Sequence, residues 1–237
     1  VITAVVYAAI HAGLMLSGLT AAEISQIVRG AGATFLRVSA ALAIGAAWAV
    51  PAGVAIGSNP RLARVAQPLA QIAASVPATA LFPVVLLALI RIGGGLGIAS
   101  ILLMLLGTQW YILFNVIAGA MAIPTDLKEA SSVFRFGKLD RWRLLILPGV
   151  FPYFVTGMVT AAGGAWNASI VAEYFHFKGQ TLSTTGLGAT ISQATDAGNF
   201  DQLLAGTIVM AAIVVTINRL LWRRLYRLAQ TRFKLEV

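Results

Sequence analysis

LKEASSVFRFGKLDRWRLLILP, residues 127–148, is a charged, helix-prone connector set between two long apolar stretches. Asp126-x-x-Glu129 has the spacing of a capping box and follows Pro124, so a helix is expected to begin there. Leu127, Ala130, Val133 and Phe134 recur at helical spacing and make one apolar face, while Lys128, Ser132 and Arg135 lie towards the other. Gly137 is expected to break this helix, and a second is expected from about Leu139 to a stop at Leu147-Pro148. The connector, 124–148, is thus two short helices with a hydrophobic ridge and a charged rim. A plain solvated connector is the alternative, but it leaves Phe134, Phe136 and Trp142 in water without a partner. The ridge reads better as a handle gripped from the cytoplasm.

The surrounding chain explains why such a handle stands out. Of its 237 residues 59% are hydrophobic and 11% charged, with a mean hydropathy of +0.86. A soluble domain would carry about a quarter charged residues. Long apolar runs with few charges are membrane spans, because a helix satisfies its own backbone in hydrocarbon. The fold class expected is all-α, a polytopic membrane protein of about six transmembrane helices forming a single transmembrane domain over residues 1–237.

The net charge is +9. Thirteen of the seventeen Lys and Arg fall in three places: Arg61 and Arg64, Lys128 to Arg143, and Arg219 to Lys234. Each place flanks an apolar span, as cytoplasmic segments do. The charge therefore reports orientation and not nucleic-acid binding, and it puts both termini on the cytoplasmic side. There is no cysteine, which excludes disulfides, thiolate metal sites and cysteine nucleophiles. The chain opens inside an apolar run at Val1, unlike a signal peptide, and reads as a piece of a longer polypeptide or a chain lacking its first residues.

The spans are expected as follows. Val1 to Leu16 is apolar but slightly short. Thr20-Ala-Ala-Glu23 is a capping box, so a helix carrying Glu23, Gln26 and Arg29 should start near Ala21 at the outer interface. The second span, about Thr34 to Ile56, holds a Gly53-x-x-x-Gly57 pair suited to close helix packing. After the turn at Ser58-Asn59-Pro60 the third span, about Val65 to Ile90, carries Pro68, Pro77 and Pro83 and should be kinked. The fourth runs from about Leu96 to Ile123 and the fifth from about Gly149 to Phe175. A polar outer segment, His176 to Asp201, should include a short helix near Thr190 to Ala197. The sixth span, about Gln202 to Trp222, ends in a basic amphipathic tail.

Glu129-Ala130-Ser131, followed by Leu145-Ile146-Leu147-Pro148 with Pro148 nineteen positions after Glu129, resembles the EAA loop of binding-protein-dependent ABC transporter permeases. That pattern places Gly six residues after the Glu and Ile three before the Pro, where this chain has Arg135 and Leu145. With Gly137 two residues further on, the helix break is expected to be displaced. The Gly-rich second span, the Pro-rich third, Ala165-Trp166-Asn167 with Ala172-Glu173, and Gly186-Leu187-Gly188 resemble the nitrate, sulfonate, taurine and bicarbonate branch. Thr160 to Tyr174 and Asn218 to Arg223 are most similar to its duplicated, fused permeases.

The resemblance implies a permease unit of the bacterial inner membrane that forms the pathway for a small anion. It implies a second permease unit, two cytoplasmic ABC ATPase subunits and a periplasmic or lipid-anchored substrate-binding protein as partners. Coupling to the ATPases would fall to Glu129, Ala130, Ser131, Phe134, Arg135 and Gly137. The substrate pathway would fall to Trp166 and Asn167, with interhelical packing as their alternative, and to Glu173, in a structural or gating role more than in direct substrate contact. The chain carries no Gly-x-x-x-x-Gly-Lys-Ser/Thr phosphate loop. It is therefore not expected to be an enzyme or to hold a cofactor, ATP being bound by partner subunits.

The remaining polar residues add little. Arg37, Arg91 and Lys178 are placed on the outer side, as headgroup-snorkelling residues more than as anion ligands. Gln109, Asn115 and Asn218 are expected to bond between helices. His11 and His176 suggest no metal set, and His176 beside Thr181 to Thr190 lacks the elbow of a serine hydrolase. The rival transport reading, a secondary carrier or channel uncoupled from ATP, calls for an intramembrane charged pair or an inverted repeat.

Overall fold

The computed structural model describes residues 2–177 and 179–233. Val1, Lys178 and Lys234, invoked above for the start of the chain, the outer cations and the basic tail, lie outside the described residues. The described chain is almost wholly helical: α1 Ile2–Ser17, α2 Ala21–Gly57, α3 Pro60–Ser75, α4 Ala78–Arg91, α5 Leu96–Ala122, α6 Thr125–Val133 and α7 Lys138–Arg141. A π-turn, Trp142–Ile146, carries α7 into α8, Leu147–Ala172. A hairpin of β1 Tyr174–Phe177 and β2 Gln180–Ser183 precedes α9 Leu187–Ala197. The chain ends in α10 Phe200–Ile217, a second π-turn at Asn218–Trp222, and α11 Arg223–Arg232.

Four helices among the described residues are long and apolar enough to cross a membrane, or five spans if α3 and α4 count as one. The expected count of about six included the first segment, whose helix α1 has 16 residues and reaches only roughly 24 Å.

Local chemistry explains most of these bounds. The Thr20–Glu23 capping box forms: Glu23 accepts from the Thr20 amide at 2.8 Å, and its own amide donates to Thr20 Oγ1 at 3.3 Å. From there α2 runs 37 residues without interruption, so the expected interfacial helix and second span are one continuous helix. Asn59 caps α3, accepting from the amides of Arg61 and Leu62 at 3.0 and 3.3 Å.

The third span is broken, not merely kinked: α3 and α4 meet at 82°. Only Pro77 does this, because Val76 before it is extended, as a residue before proline prefers. Pro68 and Pro83 sit inside helices. Pro148 likewise fails to stop the helix it was expected to end. The preceding π-turn widens the helix where the proline ring would otherwise crowd a carbonyl.

The described residues fall into two compact units, one within Val1–Ala40, Leu81–Met104 and Trp166–Thr216, the other within Ala41–Ala80, Leu105–Ala165 and Ile217–Val237. In the first, Ile27, Leu187, Ile191 and Ala205 form a buried cluster flanked by Leu19, Leu203 and Met210. In the second, α2 lies against α5 through small residues. A Cβ on Gly53 would meet Val116, and one on Gly57 would lie 2.5 Å from the Ile117 carbonyl oxygen and 2.8 Å from Ala120. The expected close packing of Gly53 and Gly57 is therefore present, and it leaves no room for a side chain.

Replacing Gly57 by Val should lower the stability of the detergent-solubilised protein by about 1–3 kcal/mol through overpacking. Thermal unfolding against a Gly32→Val control, where a Cβ meets nothing within 4 Å, checks it.

Candidate functional site

The connector occupies the second unit. Pro124 holds the N-cap position of α6 without a side-chain hydrogen bond, so the expected Asp126–Glu129 capping box does not form, and Asp126 instead sits in the first turn, where its charge suits the helix dipole. Lys128 ties the helix back, its Nζ donating to the Ala120 carbonyl at 3.4 Å. Ser131 is buried at 5% exposure, its hydroxyl donating to the Lys128 carbonyl at 2.7 Å. Ala130 is half-buried and Glu129 exposed. Beyond them every residue from Ser132 to Asp140 is exposed.

The turn departs from the sequence expectation. The helix does not break at Gly137. Arg135 takes a left-handed backbone, φ +51°, while Gly137 has an ordinary φ of −62° and N-caps α7. Two hydrogen bonds close α6 around Arg135: the Phe136 amide donates to the Ser131 carbonyl at 2.9 Å and the Arg135 amide to the Ser132 carbonyl at 3.0 Å. This is a Schellman closure, whose left-handed position usually carries glycine. Arg135 stands six residues after Glu129, where the EAA pattern has its Gly, so the break is not displaced. A non-glycine residue there costs roughly 1–2 kcal/mol.

The turn also sets the ridge. Val133 is 78% exposed, Phe134 74% and Leu139 60%, and the rings of Phe134 and Phe136 lie 6.5 Å apart across the turn. Contiguous exposed apolar patches of this kind are uncommon on a protein that stands alone.

The first unit holds a second constellation, built around Glu173. Its side chain is fully buried and paired with Arg37, Nη1 to Oε1 at 2.9 Å. Thr34 Oγ1 bonds the same carboxylate at 2.8 and 2.9 Å and accepts from the Leu187 amide at 2.8 Å. The Gly188 amide donates to Glu173 Oε2 at 3.0 Å. Arg37 reaches further, to the Thr185 carbonyl at 2.6 Å and Thr184 Oγ1 at 3.0 Å. Glu173 and Thr34 thus cap α9 from two distant segments, with the carboxylate at the positive end of the helix. Gly186 is required because a Cβ there would overlap Glu173. Arg37 is consequently an ion-pair partner and not the snorkelling residue expected. Its pairing spans 136 residues, and the only sequence signal was a lone cation and a lone acid in apolar surroundings.

The other expected residues separate. Trp166 is buried at 4% exposure while its neighbour Asn167 is exposed. Asn115 bonds within its own helix, to the Tyr111 carbonyl at 2.8 Å, rather than between helices. The hairpin was not foreseen. It places His176 Nε2 3.1 Å and Tyr174 Oη 2.8 Å from Asp196 Oδ2. The Tyr174 hydrogen bond, and after it His176, hold the Asp196 carboxyl below the usual carboxylate range.

Long apolar helices, a bent span and an exposed charged elbow define a multi-pass membrane protein. Residues 49–234 match the family of binding-protein-dependent transport system inner membrane components, and the chain belongs to that family. It is 26% identical over 188 residues to the nitrate import permease protein NrtB of Leptolyngbya laminosa, covering 79% of this chain and 64% of that protein. It is 26% identical over 187 residues to the bicarbonate transport system permease protein CmpB of Synechococcus elongatus, with the same coverages. With the taurine transport system permease protein TauC of Escherichia coli it shares 27% identity over 197 residues, 81% of this chain and 68% of that one. The chain thus spans about 64% of the length of the nitrate and bicarbonate relatives. In fold it resembles the inward-facing MetNI methionine ABC transporter structure, with a TM-score of 0.72 at 21% identity over 89% of this chain and 99% of that one.

Three substitutions probe the two constellations. Arg135→Gly should leave α6 intact and raise amide protection at Phe134 to Phe136 in hydrogen exchange, whereas Gly137→Ala should be silent, since its Cβ would meet only Asp140 at 3.4 Å. Glu173→Ala should destabilise the protein by about 3–5 kcal/mol by stranding Arg37, measured as a fall in melting temperature and loss of protection in α9.

Proposed function

We propose that this chain is the membrane permease unit of an ATP-driven importer and forms the pathway for a small anion of the nitrate, bicarbonate or sulfonate class. Family membership and the names of the relatives support the substrate class. The observation that carries the reading is the exposed ridge of Val133, Phe134 and Leu139 on a hydrogen-bonded elbow. Segment 124–148 is the coupling loop, and an ABC ATPase subunit grips it from the cytoplasm. Glu129 and Arg135 provide the charged rim, Phe134 the apolar anchor, Ala130 and Ser131 the seat against the membrane helices, and Gly137 the start of the returning helix.

Two such ATPases, a second permease unit and an extracytoplasmic substrate-binding protein complete the assembly. ATP hydrolysis takes place in the partner subunits. With the loop and the basic stretches in the cytoplasm, both ends of this segment are cytoplasmic. Asn167, exposed on α8, faces the pathway, buried Trp166 holds that stretch of α8, and Glu173 sets the outer end.

The Arg37–Glu173 pair is the kind of feature a self-sufficient carrier needs. Here both carboxylate oxygens and both Arg37 Nη atoms are engaged in holding α9 and the preceding loop, which favours a fixed brace over a titrating relay.

Glu129→Lys and deletion of Phe134 to Gly137 should each abolish binding-protein-dependent uptake and cut ATPase co-purification by roughly tenfold or more, the loss expected of a contact hot spot. Membrane insertion should be unchanged. Normal uptake by either well-inserted variant would refute the coupling role.

A further inference from the structure

In the second unit, a groove of about 420 Å³ runs along the π-turn that follows α10 and the start of α11. One wall is α8, with Thr156 and Thr160 one turn apart; Val159 lies between them. The other is the π-turn and its sequel, presenting Arg219 and Arg223 one turn apart, with Trp222 and Tyr226 likewise one turn apart. The threonine hydroxyls are spent on their own helix, donating to the carbonyls of Pro152 and Thr156 at 3.1 Å each. Both guanidinium groups are exposed, and among the described residues neither is in an ion pair. Among the described residues, no acidic side chain lines the groove. The groove is therefore an apolar trough with two unneutralised, fork-shaped donors at its rim.

We propose that this groove is a bound-lipid site that holds the phosphate of an anionic phospholipid between Arg219 and Arg223. The proposal rests on the reading above for its orientation, which puts this end of α10 at the cytoplasmic leaflet. Arginine forks match phosphate oxygens in pairs. Trp222 and Tyr226 are the residue types that sit at headgroup depth. Basic pockets between membrane helices on this side take anionic headgroups. A second copy of this chain is a poor occupant, because it would bring a surface from a molecule with net charge +9 and only eight acidic residues.

The test uses the complete transporter with its partner subunits, reconstituted in phosphatidylcholine with and without phosphatidylglycerol, and native mass spectrometry to count retained lipid. Wild type should retain a single phosphatidylglycerol for each copy of this chain. Arg219→Gln with Arg223→Gln should reduce retention roughly thirtyfold, the effect of removing two basic contacts. Arg232→Gln, outside the groove, should not. Arg219→Lys with Arg223→Lys, which keeps the charge, supplies a well-folded intermediate case with partial retention.

Equal retention in wild type and the glutamine variant overturns the site. Displacement by millimolar inorganic phosphate would reassign it to a free anion. Cross-linking of Arg219→Cys to the second permease unit in lipid-free detergent would reassign it to a subunit contact. Lipid retention is read independently of uptake, so failure of transport in wild type would refute the importer reading and leave this count standing.

Discussion

Hydrocarbon offers the backbone no water, so a membrane chain can leave the helix only where something specific takes over its hydrogen bonds. Three departures among the described residues show such agents, two at spans and one in the exposed elbow. The 82° bend between α3 and α4 falls where Val76 is extended ahead of Pro77 and the proline has no amide to lose. The elbow at Arg135 closes with two amide-to-carbonyl bonds. The loop between the hairpin and α9 is the most demanding, because its amides at Leu187 and Gly188 are buried. They are met by Thr34 and Glu173, and Arg37 neutralises the acid. The regular helices need nothing of the kind and pack on one another through glycine and alanine.

The same constraint separates the chemistry. One unit holds a buried charge pair that is complete in itself. The other carries its charges in the open, on the elbow and along the helix after Asn218, and on the elbow they lie next to Val133, Phe134 and Leu139, which no described residue buries. A closed brace in the first and unfinished surfaces in the second are what a component of a larger machine requires. Membership of the binding-protein-dependent transport family and the presence of an exposed loop with the EAA spacing point to the same division of labour.

What could be read from the sequence was local. The Thr20–Glu23 cap, the Asn59-Pro60 turn and a helix near Thr190 depend on neighbours within a few residues, and all are present; the Gly53-x-x-x-Gly57 spacing marked a packing face, though its partners Val116, Ile117 and Ala120 lie on α5. The misreadings came from treating strong local signals as decisive. Glycine at 137 and proline at 148 look like breaks, yet a π-turn absorbs Pro148, and Arg135 accepts a strained backbone in place of Gly137. The Arg37–Glu173 brace joins positions 136 apart, and no spacing rule reaches that far. The hairpin is four residues a side with mixed polarity, too short to carry a clear alternation.

The most direct test exploits the absence of cysteine: Phe134→Cys gives a single thiol at the tip of the elbow, with Leu62→Cys, exposed at the start of α3 beside Arg61, as a control on the same side of the membrane. Its rate of reaction with a water-soluble maleimide is measured in inverted vesicles, with and without the ATPase subunits. Burial of the tip predicts a slowing of roughly tenfold or more on adding the ATPase, in line with a desolvated contact centre, and no change at the control. An unchanged rate at position 134 with the ATPase demonstrably bound would contradict the coupling role.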